Sequence, residues 1–504
     1  MIKTKILAID QSTSGTKAII FDNRGKVVHR CTENHEQFYP RTDWVEHDPE
    51  EIYEKTKLAI SKVLQQSQID PADIAAMAIA NQRETVAVWD KKSGKPIYNA
   101  IVWQCQRGAE TCRILREQGY AELVETRTGL LIDPYFSATG LKWIMDHVKG
   151  VREKAKVGEL AFGTMDSWLI YKLSGGSVHA TDYSNACRTM LYNIYDLKWD
   201  KELLNLMGVP EHMAPEVRYA DDIFAYTDIE GLLDREIPVT GVMGDSHAAL
   251  FGQSCFKQGM AKATYGTGSS VMMNIGNKPL KSPEGLVTSI GFAIKGEIDY
   301  VFEGNIHCTG DTINWLVQDL ELISDAKESE TLAISVDDNN GVYMVPAFVG
   351  LGAPYWDNKA RASISEMPRS TKKAHVVRAA LEAIAYQIKD LLDLMTAQAG
   401  INLSEIRVDG GPTNNDFLMQ FQSDMLDSTV AVSDVEEASA LGAALAGGLG
   451  IGLWKDLDEL SHLVSVKKRF ESKMTDILRE TLYTGWQNAV SRVRKVKEIN
   501  RRKK

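Results

Sequence analysis

The chain has 504 residues, of which 44% are hydrophobic and 25% charged, enough apolar material for two domains of about 250 residues each. Its formal net charge of −11 (57 Lys and Arg against 68 Asp and Glu) argues against nucleic acid or an anionic membrane as the main partner. The six cysteines (31, 105, 112, 187, 255 and 308) form no CxxC pair and no His cluster, which disfavours zinc or a disulfide framework and points to a reducing cytoplasm.

The start, "MIKTKILAID", carries only a short apolar run ending in Asp, so no signal peptide is expected. Ile6–Ile9 reads as a strand and Ala18–Asp22 as a second, with a Ser/Thr/Gly-rich loop in "DQSTSGTKAIIFD" between them. The loop lacks the Walker-A spacing and no helix follows it, so it reads as the tip of a hairpin. The turn "NRGK" leads to a third strand from Val27. A similar arrangement returns after the midpoint. There "PVTGVMGD" is a strand and "MAKATYGTGSSVMMNIGNKPL" a hairpin with a Gly/Ser/Thr tip and a return near Gly276. Two such units predict a duplicated α/β domain with a ligand between the copies, divided into 1–252 and 253–504 just past "GDSHAALFG".

Farther on, "HVVRAALEAIAYQIKDLLDLMTAQAG" predicts a helix through apolar Val377, Leu381, Ile384, Ile388, Leu391 and Met395, stopped by Gly400. "EIRVDGGPTNNDFLMQFQSDML" predicts a strand, a Gly turn and a helix. "ALGAALAGGLGIGLW" is too short and Gly-rich to span a bilayer and reads as a tightly packed helix and turn. The basic end, "SRVRKVKEINRRKK", reads as a solvated last helix, with an anion-binding tail as the alternative.

Four polar clusters stand where apolar strands stop: Asp10 after "ILAI", "NQRE" after "AAMAIA", "GDSH" after "VTGVM" and "DGG" after "EIRV". Ligands of open α/β sheets collect beyond the carboxyl ends of strands, so these clusters are expected to converge on one cleft; isolated surface turns are the alternative. Their residue types suit phosphoryl transfer from a nucleotide. Hairpin tips offer hydroxyl and backbone donors, Asp10 could hold a hydrated Mg2+, and Asp245 could take a proton from an alcohol. Arg83 and Glu84 offer donors and acceptors to vicinal hydroxyls, although such neighbours are often a surface salt bridge.

The segments "NQRETVAVWDKKSGKPIYNAIVWQCQR", "IDPYFSATGLKWIMDH", "WLIYKL", "TDYSNACRTMLYNI", "GMAKATYGTGS", "GLGAPYWD" and "NNDFLMQFQSDML" resemble the FGGY family of carbohydrate kinases, and within it the members that phosphorylate glycerol. The resemblance covers the chain to about residue 454. It implies two ribonuclease-H-like domains of the actin, Hsp70 and hexokinase type with a cleft between them. It also implies ATP with Mg2+ as donor, a small polyol or sugar as acceptor, and assembly as a dimer or tetramer. By the same resemblance Asp10 is the metal-associated carboxylate; Ser12, Thr13, Ser14 and Lys17 form the first phosphate loop, and Thr267 and Gly268 the second. Gly310, Gly411 and Asn415 surround the nucleotide, while Arg83, Glu84, Trp103, Tyr135 and Asp245 form the acceptor pocket, with Asp245 as general base.

The chain departs from these relatives in ways that bear on the acceptor. They carry "DQGTTSSRA" where this chain has "DQSTSGTKA"; Ser14 for Thr and Lys17 for Arg keep the donor character of the loop. Ser246 replaces a glutamine and Ser270 a bulky aromatic, both near the substrate in the family, which implies a roomier pocket for a longer polyol or a ketose. Gly140 stands for a common Lys and Glu366 for a common Gly. An actin-like protein that uses ATP only to change shape is the alternative from another class; it has no need of the Arg83, Glu84, Tyr135 and Asp245 set. A nicotinamide dehydrogenase is excluded by the absence of GxGxxG after the first strand.

Overall fold

The computed structural model describes residues 4–435 and 437–501, so the last three residues of the basic tail lie outside the described residues. Two sheets dominate. Across the first, the strands are Ala225–Thr227, Ile237–Gly244, Ile74–Asn81, Lys5–Gln11, Gly15–Phe21 and Val27–Asn34. Across the second they are Val466–Phe470, Thr429–Ser433, Glu405–Asp409, Met260–Tyr265, Ser269–Gly276, Glu297–Ile306 and Val287–Ile294. In each sheet the opening strand pairs antiparallel with its hairpin partner and parallel with a later strand. A second parallel strand and an antiparallel edge strand follow on that side. The two hairpins visible in the sequence therefore belong to two copies of one ribonuclease-H-like sheet, the second extended by Val287–Ile294. The strand cores are apolar on both faces, as in the fully buried Ile6–Ile9, because helices cover both sides.

Between the sheets lie two short helices, Asp245–Gly252 and Ala438–Gly450. The second comes late in the chain yet packs against Lys5–Gln11, Ile74–Asn81 and Ile237–Gly244 of the first sheet. One apolar cluster takes Ala8 and Ile19 from the first sheet, Met272 and Val301 from the second, and Leu250 and Ala443 from the two helices. The two domains thus share a core rather than meeting at a wet surface. Small residues permit it: a β-carbon on Gly442 would fall on the Ala248 carbonyl oxygen. The tightly packed helix expected from "ALGAALAGGLGIGLW" is this element.

The long helix Lys373–Ala399 covers the second sheet and ends at Gly400, whose φ of 65° is the left-handed turn that glycine adopts without penalty. The segment that begins at Glu405 also folds as expected, into the strand Glu405–Asp409, a short turn at Gly411–Asn414 and the helix Asp416–Leu426. A terminal helix runs Asp476–Arg501. No helix among the described residues is long and apolar enough to cross a membrane. Two departures from the family pattern acquire a local account. Glu366 has φ 61°, a conformation that favours glycine, and its carboxylate pairs with Arg492. At Gly140, in the helix Ser137–His147, a β-carbon would lie 3.1 Å from Ile101 Cγ2, a tight contact that a side chain could make only with a slight shift of Ile101 or Val86.

Replacing Gly442 by Ala should separate the two interdomain helices and lower the melting temperature by several degrees, a cost of about 1–3 kcal/mol for an overpacked site. A thermal melt of the purified variant measures it, and an unchanged melting temperature would contradict the close approach.

Candidate active site

The register of the first sheet brings three of the four polar clusters into one row. Gln11 pairs with Asn81, and Asn81 with Gly244, so Asp10, Arg83–Glu84 and Asp245 all leave the sheet at its carboxyl edge. In the second sheet Thr264 pairs with Asp409 at the matching edge, which aligns "YGTG" with "DGG". There Asp409 accepts from Gln253, and the buried Lys262 ammonium donates to Thr264 Oγ1 at 3.0 Å.

At the first hairpin tip the Ser12 amide and hydroxyl both donate to the Gly15 carbonyl, at 2.8 and 2.9 Å, which closes the turn. Thr13 Oγ1 accepts from the Trp103 indole at 2.9 Å; Ser14 is exposed, and the Lys17 ammonium lies on Glu437 at 2.7 Å. Burial pushes the Asp10 carboxyl up to about 7, with Lys17 drawing it down and Asp245 adding to the rise.

A cavity of about 830 Å3 opens between the domains, and Thr13, Arg83, Glu84, Trp103, Tyr135, Asp245, Ser246, Gly268 and Ser270 all line it. The Trp103 and Tyr135 rings meet edge to face at 5.5 Å and form one wall. Arg83 and Glu84 are no surface pair: their side chains are 5% and 2% exposed, and Glu84 holds a left-handed φ of 60°, strained for a glutamate. Arg83 donates both Nη groups to Glu303, at 3.1 and 3.0 Å, and its Nε lies 3.3 Å from Asp245. Arg188 donates through Nε to Glu84 at 2.6 Å and through Nη1 to Ser289 at 2.9 Å. Burial raises the Glu84 carboxyl, against the pull of both guanidiniums. Asp245 is the member of this cluster that stays accessible, with 36% of its side chain exposed.

A second cavity of about 500 Å3 lies wholly against the second sheet and its helices, lined by Thr267, Gly310, Gly411 and Asn415 among others. The loop and helix around it interlock, since the Gly310 amide donates to the Gly266 carbonyl at 2.9 Å and the Asp311 amide to Thr267 at 3.2 Å. Gly310 is required by this approach, because a β-carbon would lie 2.7 Å from Gly266 O. Asn415 caps the helix Asp416–Leu426 by accepting from the Leu418 amide at 2.9 Å.

The sequence reading assigns no role to Arg188, Glu303 or His247, which complete the buried cluster. His247 lies 3.5 Å from Arg83 Nη1, and burial followed by Arg83 keeps its imidazole neutral. A signal existed for Glu303, a lone acidic residue inside the apolar strand run "YVFEG", and for Arg188, a charge among small residues in "SNACRT".

Both halves of the sequence match a known family. The FGGY family of carbohydrate kinases, N-terminal domain, matches residues 5–252, and its C-terminal domain matches residues 261–451. Glycerol kinase 1 of Thermotoga maritima is 53% identical over 97% of this chain and 99% of its own length. The glycerol kinase of Bacillus subtilis is 49% identical over 97% and 99%. Among solved structures, Plasmodium falciparum glycerol kinase with ADP superposes with a TM-score of 0.92 at 36% identity, covering 97% of this chain and 98% of that one. A xylulose kinase from Rhodospirillum rubrum has a TM-score of 0.86 at 18% identity over 98% and 99%, a likeness of fold alone. Matched in both halves and over nearly its full length, the chain belongs to the FGGY family of carbohydrate kinases, phosphotransferases with an alcohol acceptor.

Proposed function

We propose that this protein transfers the γ-phosphate of ATP to a terminal hydroxyl of glycerol or of a somewhat larger polyol or ketose, with Asp245 as general base. The observation that carries this reading is the position of Asp245. It is the accessible carboxylate of an otherwise buried charged cluster, at the carboxyl edge of the first sheet, and it lines the larger cavity. An alcohol seated there has a proton acceptor beside it. Arg83 and Glu84 supply a donor and an acceptor to neighbouring hydroxyls, and Trp103 with Tyr135 cover the carbon skeleton. Glycerol is favoured by the names of the relatives, and a longer acceptor by the small Ser246 and Ser270 in the lining.

The nucleotide is assigned to the smaller cavity, with Thr267, Gly310, Gly411 and Asn415 in its lining. Gly268 lines the larger cavity, toward which the terminal phosphates would extend, and Ser12, Thr13, Ser14 and Lys17 would face those phosphates on closure of the cleft. Closure excludes water, which would otherwise compete for the phosphoryl group. The residues present fit Mg2+. Asp10 is a partly buried carboxylate whose raised pKa reports poor compensation of its charge, and Asp245 is close enough to add to that rise. Among the described residues no group of three or more His, Cys, Asp or Glu could cage a metal. That suits an ion held by one or two carboxylates, water and phosphate oxygens. Asp10 would hold Mg2+, which would supply charge neutralisation at the phosphates, and the loops would orient the donor.

The division into 1–252 and 253–504 follows from the same reading, since the smaller cavity is built wholly from residues 265–418. A cytoplasmic setting suits the six free cysteines, five of them buried, and assembly as a dimer or tetramer rests on the family resemblance alone.

Asp245→Asn should lower kcat by about 10²- to 10⁴-fold while ADP binding by calorimetry stays unchanged; unchanged turnover would refute the assignment. In a coupled ADP-release assay over glycerol, tetritols, pentitols and ketopentoses, glycerol and at least one longer acceptor should turn over. Turnover of glycerol alone would remove the roomier pocket. Asp10 gives a pH prediction. Its carboxyl moves from the ordinary 3.8 to about 7 on folding, so its neutral form is favoured and the folded protein loses stability as pH rises across that window. Asp10→Asn should therefore raise the melting temperature of the nucleotide-free, metal-free protein, more at pH 8 than at pH 5, while abolishing transfer.

A further inference from the structure

We infer that Glu303 is a positioning residue that presents Arg83 to the acceptor from the opposite domain, so that the acceptor site exists only while the two domains are held together. The inference rests on the proposed function in taking Arg83 as an acceptor contact.

Glu303 lies in the strand Glu297–Ile306 of the second sheet, between buried Phe302 and Gly304, and only 1% of its side chain is exposed. A carboxylate withdrawn from water this completely is strongly unfavourable unless opposite charges meet it closely. Two do, and both come from the first domain. Arg83 engages both carboxylate oxygens through its two Nη groups, and Arg188 Nη1 reaches the same carboxylate at 2.8 Å. Against the effect of burial, these guanidiniums hold the Glu303 carboxyl far below the usual range, so it carries its charge throughout the working pH span.

The two-pronged contact fixes the guanidinium plane, which a single contact would leave free to swing. With both Nη groups turned to Glu303, Nε is the part of Arg83 that faces Asp245, at 3.3 Å. Arg188 extends the same logic to Glu84, holding its Oε1 at 2.6 Å while donating to Ser289, also on the second sheet. Arg83 and Glu84 are adjacent in the chain, yet each is held through a contact that ends on the other domain. Without the Glu303 charge, Asp245 becomes the nearest anion for the Arg83 guanidinium, and the arginine is drawn over the very carboxylate that should stay open to the acceptor.

The test compares wild type, Glu303→Gln and Glu303→Asp, measuring acceptor KM, kcat, ADP affinity by calorimetry and melting temperature. Glu303→Gln should raise acceptor KM by about tenfold or more, the scale of breaking a buried charge pair, with ADP affinity within about twofold of wild type. Glu303→Asp keeps the charge but falls one methylene short of the two-pronged contact, so its acceptor KM should lie between the two. If Glu303→Gln does not fold, Glu303→Asp decides alone, through a raised acceptor KM at unchanged ADP affinity. Acceptor KM unchanged in a folded variant, or acceptor KM and ADP affinity weakened in parallel, would overturn the positioning role. Absence of transfer by the wild type to every acceptor in the panel would instead refute the proposed function.

Discussion

The structure depends on a cluster of opposite charges buried where the two domains meet. Arg83 and Arg188 come from the first domain and Glu303 from the second, with Glu84 and Asp245 at its margins. Burying any one of these groups alone would be strongly unfavourable, and together they are tolerable because nearly every charge has a close partner. The arrangement does not need to be stabilising to be useful. Its two-pronged contact ties the two domains together at this point, and it leaves Asp245 as the most exposed carboxylate of the cluster.

A second constraint acts beside the first. The helices Asp245–Gly252 and Ala438–Gly450 cross between the sheets at backbone distance, and the apolar cluster around them draws on both sheets. The helix that begins with Asp245 is therefore part of the interdomain core. The late helix Ala438–Gly450 packs on the first sheet, and Glu437 beside it pairs with Lys17 of the first hairpin, so the end of the chain reports on its beginning.

The elements legible in the sequence were those with strong local signals. The buried strand Ile6–Ile9, the long helix to Gly400 and the hairpin tips each announce themselves by apolar periodicity or by glycine, and each stands where it was expected. The convergence of Asp10, "NQRE" and "GDSH" was legible as well, because all three end apolar strands and parallel register puts such ends side by side. Gly140 and Glu366 could be seen to differ from the family but not explained. Their surroundings, a close helix approach at Ile101 and a left-handed backbone at Glu366 whose side chain pairs with Arg492, have no local sequence signature.

By itself the sequence determined which residue types are on offer: Ser/Thr/Gly hairpin tips, a carboxylate after a strand, and an adjacent Arg–Glu pair. These are short-range facts, written in residue types and in the period of a strand or helix. Only the tertiary structure decided which charges meet. Glu303 lies 220 residues from Arg83, and Arg188 lies 104 from Glu84. A buried ion pair leaves no periodic trace at such separations, since its partners are chosen by how two sheets are docked. That docking turned an ordinary neighbour pair at Arg83–Glu84 into one arm of a cluster spanning both domains.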